Sequence, residues 1–183
     1  ADAGEDISTG NRNTVIGNIA GSNITTADDA TMIGYGAGGT GVMTGHDNTG
    51  VGVQALAYAT SGASNTAVGR NALELNTTAS NNTAVGFASL RANTTGLENA
   101  AFGSNAANAV TVGTKNTALG AYALRFDTQG SQSVAVGHQA LAAQNFTSAT
   151  SAYNVAVGAN AGVSVSTGTY NTLIGGLSGD PLT

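Results

Sequence analysis

One phrase, Asn-Thr-x-Val-Gly-x-x-Ala-Leu, returns along this chain about every seventeen residues; Asn65–Leu73 is a complete example. Aligned on its glycine, ten copies fall at Gly17, Gly34, Gly52, Gly69, Gly86, Gly103, Gly120, Gly137, Gly158 and Gly175. The spacings are 17, 18, 17, 17, 17, 17, 17, 21 and 17 residues. A fixed period this short marks a solenoid, because one such unit cannot bury its apolar residues alone and must stack on the next. The repeats fill residues 13–179, after a leading segment, 1–12, that offers a link to an upstream part, and before a tail, 180–183.

The columns of the repeat indicate strands. One place before each glycine stand Ile16, Ile33, Val51, Val68, Val85, Phe102, Leu119, Val136, Val157 and Ile174, all large and apolar. Two places earlier, Thr occupies seven of ten copies, with a residue between that is usually Ala. Branched residues alternating with small ones over so few positions predict a short strand. The glycine permits a bend or a close approach of backbones. Three places after it only Ala or Ser occurs, and one step further Leu56, Leu73, Leu90, Leu124 and Leu141 form a second bulky row. Seventeen residues allow two short strands and two turns, a thin β-roll of about ten coils and roughly 50 Å. Asn precedes the Thr position in eight copies, which predicts either an amide ladder between coils or a turn residue tolerant of left-handed backbone. With one Val or Ile, one Leu and a few Ala per coil, the core is thin. The small Ala/Ser column is therefore expected to face neighbouring chains.

Charge and composition exclude several classes. Only 8% of residues are charged, and five scattered bases against ten acids leave no electrostatic footprint for nucleic acid. No apolar run is long enough to span a bilayer, so no membrane insertion of this segment is expected. Ala1–Gly10 is acidic and polar, unlike a signal peptide. The missing initial Met leads to the expectation of a fragment or a processed chain, and without cysteine there is no redox clue.

The phrase at Asn65–Leu73, Asn82–Leu90 and Asn116–Leu124 resembles the YadA-like head repeat. That resemblance covers at least nine-tenths of the chain. It implies an all-β, left-handed parallel β-roll that assembles as a homotrimer, as in trimeric phage tail fibres and trimeric autotransporter adhesins. The Asn-Thr-Thr connectors at Asn76–Thr78 and Asn93–Thr95 resemble the phage version more closely. Copy two lacks the Asn, and copy eight reads Ser133-Val134-Ala135-Val136-Gly137. The implied role is a non-enzymatic, extracellular virion part that binds a host cell-surface glycan or protein receptor. A bacterial adhesin head is the alternative.

Candidate chemistry is sparse. Gly34–Gly39 formally reads G-x-G-x-x-G, but the next strand returns by Thr49, leaving no room for the helix a dinucleotide site requires. His46 and His138 lie some five coils apart, too far to share a metal, and Asp28-Asp29 lacks calcium-loop spacing. The N-x-[ST] sequons are what chance gives in a chain rich in Asn and Thr. No catalytic residue, cofactor or metal site is expected. The 21-residue spacing marks a loop, and its Asn145, Phe146 and Tyr153 are candidate contacts, or else cover the roll or a subunit seam. His46 belongs to a second candidate loop, Gly38–Asp47. An ice-binding solenoid is a distant alternative, opposed by a single visible Thr column with no partner column. A glycan depolymerase would need clustered carboxylates, and the acids are dispersed.

Overall fold

Thr-Ala-Val triplets set at a constant period favour pairing like with like, and the stack obeys that pattern. The computed structural model describes residues 3–180, with no helix among them. Its strands are β1 (Thr14–Ile16), β2 (Thr31–Ile33), β3 (Thr49–Val51), β4 (Thr66–Val68), β5 (Thr83–Val85) and β6 (Ala100–Phe102). There follow β7 (Thr117–Leu119), β8 (Gly130–Ser131), β9 (Val134–Val136), β10 (Thr150–Ser151), β11 (Val155–Val157) and β12 (Thr172–Ile174). Ten of them form one parallel sheet in the order β1-β2-β3-β4-β5-β6-β7-β9-β11-β12, a β-solenoid of about nine turns. The register is strict: Thr66 faces Thr83, Ala67 faces Ala84, and Val68 faces Val85. The irregular spacings are absorbed outside the strands, so Thr31 still pairs with Thr49 and Val134 with Val155. Strands β8 and β10 make a separate two-stranded parallel ladder beside the long loop.

Three-residue strands reveal which side is inside. The middle alanines, Ala67, Ala84, Ala101, Ala118, Ala135 and Ala156, are fully buried. Across the roll they meet Leu56, Leu73, Leu90, Leu124 and Leu141, also fully buried, together with the alanines three places after most of the repeat glycines. The Ala/Ser column therefore packs within the coil, not against a neighbouring chain. The large residues before the glycine face outward, contrary to their expected place in the core: Val68 is 37% exposed and Leu119 47%. The roll is too thin to hold Val on one wall and Leu on the other. Larger residues enter the middle-alanine column at Val15, Met32 and Leu173, and at Met32 space is freed twice. A Cβ on Gly50 or on Gly38 would lie 2.8 Å from the Met32 sulfur.

The turns need left-handed backbone at regular places. The repeat glycines take φ between 116° and 139°, and a Cβ on Gly86 would lie 2.5 Å from the carbonyl oxygen of Gly103. The buried leucines also sit at positive φ, from 47° to 52°, as do the residues just before the Asn column, such as Asn81 and Lys115. Ile19 is the one β-branched residue at such a position among the described residues, despite the abundance of Thr and Val. Branching at Cβ clashes there, and Leu escapes that clash while gaining burial. The Asn column itself is not left-handed. It forms the expected ladder, mostly by accepting the next coil's backbone N–H, as from Asn99 to Asn82 at 2.9 Å.

The leading segment belongs to the stack from Gly4 onward. Gly4 N–H donates to Ala20, and Ser8, Thr9 and Gly10 converge on the Thr25 carbonyl. In the tail, only Asp180 lies within the described residues.

Candidate functional site

Alternation along each strand puts two columns on the outer sheet face, the Thr position and the large apolar position. The apolar column runs from Ile16 through Val51, Val68, Phe102 and Leu119 to Ile174 without a charged residue. Over nine coil-to-coil steps it extends about 43 Å. Its members are partly or well exposed, reaching 57% at Ile16 and 70% at Ile174 at the two ends.

A second Thr column exists, which the sequence reading did not find. Thr60, Thr77, Thr94, Thr111 and Thr128 recur at the repeat period, away from the sheet. Each hydroxyl donates to a carbonyl of the next coil, at 2.8 to 3.2 Å. Donors already committed to carbonyls hold the coils together and are not a free hydroxyl array.

The four candidate contact residues do not converge. Phe146 is only 6% exposed and serves the roll as cover, so it is no contact aromatic. Asn145 is exposed and accepts the Thr128 hydroxyl at 3.2 Å. Tyr153 stacks on Tyr170, ring centroids 5.2 Å apart, with both rings exposed. His46 stands six coils away, where its Nδ1 accepts the Asp28 N–H at 2.9 Å near that residue's carboxylate. Among the described residues there is no cluster of His, Asp or Glu set to hold a metal ion, and the surface has no enclosed pocket.

The long loop is anchored by a carboxylate that sequence reading passed over. Asp127 is fully buried, and its Oδ1 accepts the N–H groups of Gly130 and Phe146 at 3.0 and 3.1 Å. Its Oδ2 accepts Gln144 Nε2 at 2.6 Å, and that nitrogen also donates to Ser133 Oγ. Gln144 Oε1 in turn accepts Asn154 Nδ2 at 2.8 Å. The period held the signal: Asp127 lies two coils beyond Asn93 in an inward column that also contains Asn76 and Val110. In that column Asn93 Nδ2 donates to Asn76, while Asn93 Oδ1 has no partner, the next member of the column being apolar Val110.

A second group missed from sequence gathers on the turn side. Arg125 lies 4.9 Å from the Tyr122 ring and 4.7 Å from the Phe126 ring, and His138 meets Tyr122 edge-on at 6.0 Å. Residues 122, 125 and 126 share one turn, and the repeat brings His138 over them from the next coil.

Comparison of the chain with family models, curated proteins and solved structures finds no match.

Proposed function

We propose that this chain is a non-enzymatic segment of a trimeric attachment fibre: a left-handed β-roll whose three copies pack through their sheet faces. The setting that fits best is a phage tail fibre presenting the roll to a host cell-surface receptor. The observation that carries this reading is the uninterrupted outward column from Ile16 to Ile174. Soluble monomers rarely leave so long an ordered apolar stripe in water, and a stripe repeated on every coil matches a partner of the same periodicity. Three copies of the chain give that match along the full length. The sequence resemblance, which implies homotrimers, points the same way. In such a fibre, threefold presentation lets weak surface contacts add by avidity.

Native mass in solution tests the proposal, by light scattering on a sizing column with a denatured control. The expected mass is three times the 17.8 kDa of one chain. A stable monomer overturns it.

A further inference from the structure

We propose that Tyr122, Arg125, Phe126 and His138 form a binding site for a carboxylated sugar, the acidic residue of a surface glycan. The proposal deepens the attachment reading and rests on it for the choice of a glycan among acidic ligands.

The argument begins with the guanidinium. Arg12 and Arg91 each pair with a carboxylate of a neighbouring coil, Asp29 and Glu74. Arg125 has no such partner among the described residues, and none of their side chains or carbonyls accepts a hydrogen bond from it. Two aromatic faces hold it instead, at 4.9 and 4.7 Å. Cation–π contacts orient a guanidinium without consuming its N–H donors. The fork thus remains free for an incoming carboxylate, which it matches in two parallel hydrogen bonds. In a chain of net charge −5, a cation left without an anion on a shaped patch suits an external acid.

The surroundings favour a sugar over an acidic peptide. Phe126 is 50% exposed, so its ring can still stack on the C–H face of a pyranose. The register sets Gln139 one coil above Tyr122, an amide available to a hydroxyl group, whereas Asn108, one coil below Arg125, has its Nδ2 committed to the Ala88 carbonyl. One common way of holding a peptide is to add it to a free strand edge. None is open here, since β7 pairs on both sides, with β6 and β9.

The test is titration calorimetry of the intact chain with four probes: sialyllactose, a galacturonic acid oligomer, lactose and a tetraglutamate peptide. Binding of at least one carboxylated sugar is expected, with lactose and the peptide roughly tenfold weaker or worse. Arg125→Gln, a surface change checked by circular dichroism, should weaken the sugar by about tenfold or more. Equal binding of lactose or of the peptide overturns the proposal, as does unchanged affinity in Arg125→Gln or no binding of either acidic sugar. Native mass separates the two readings. A trimer without acidic-sugar binding sinks this site and leaves the fibre standing; a monomer that binds through Arg125 does the reverse.

Discussion

Asn99 Oδ1 accepts the backbone N–H of Asn116, one coil on, at 3.0 Å, while Asn99 Nδ2 donates to the Gly113 carbonyl at 2.8 Å. One buried amide thus serves two backbone groups that have no other hydrogen-bond partner. Replacing Asn99 by Ala leaves both unsatisfied in the interior, and a loss of about 2–4 kcal/mol is expected in denaturant unfolding. A loss under ~0.5 kcal/mol would show that the ladder contributes little to stability.

Gly86 and Gly175 occupy the same place in the repeat and predict different outcomes. Both have positive φ, 134° and 116°, but a Cβ on Gly86 would strike the backbone of Gly103, whereas nothing lies within 4 Å of one on Gly175. Gly175→Ala should cost only backbone strain, about 1–3 kcal/mol. Gly86→Ala should abolish the cooperative thermal transition. Similar melting curves for the two variants would refute the close stacking of these turns.

Ala67 and Val68 are adjacent and face opposite ways. Ala67→Leu overfills the interior, and a loss of about 1–3 kcal/mol or more is expected, visible as a lowered melting temperature. Val68→Asp combined with Val85→Asp should spare the β-rich circular dichroism spectrum but lower the native mass to that of one chain. If the double variant keeps the mass of the parent protein, the sheet face is not the seam.

Asp127→Asn is nearly isosteric and yet unfavourable. Its new NH₂ would confront Gln144 Nε2, and turning Gln144 over would set that donor against Asn154 Nδ2. The mismatch should cost about 1–3 kcal/mol. Faster amide exchange confined to residues 144–154 would locate it; unchanged exchange there would refute the network's role.

Acid should loosen the N-terminal end first. The Arg12 guanidinium, by hydrogen bond and charge, holds the Asp29 carboxyl below its usual range, and the Asn11 N–H leads in lowering Asp28. Carboxyls depressed in the folded state contribute fully above their ordinary range, and that contribution disappears as pH falls through the depressed values. Amide exchange around residues 11–29 should therefore quicken below about pH 4 while the middle coils stay protected. Both carboxyls are at the surface, so high salt should blunt the effect. Uniform acid loosening along the stack would contradict it.

Much of this architecture was legible without coordinates. Equal spacing of Thr49, Thr66 and Thr83 already implied in-register parallel stacking, because a one-residue slip would turn every side chain over. The Asn column likewise allowed a ladder between coils, although a left-handed turn residue fitted the pattern equally well. What the pattern could not settle was the direction of the alternation. Ala67 and Val68 are both apolar, and nothing in their order says which is inside. The tertiary structure decides it by volume: the leucines opposite, such as Leu73, leave room for a methyl group and no more. That choice turns the Val and Ile column outward and creates the apolar face. The Arg125 cluster and the Asp127 network have the same origin. Their members come from successive coils, so only the number of residues per turn, and the way each loop folds back, brings them within reach.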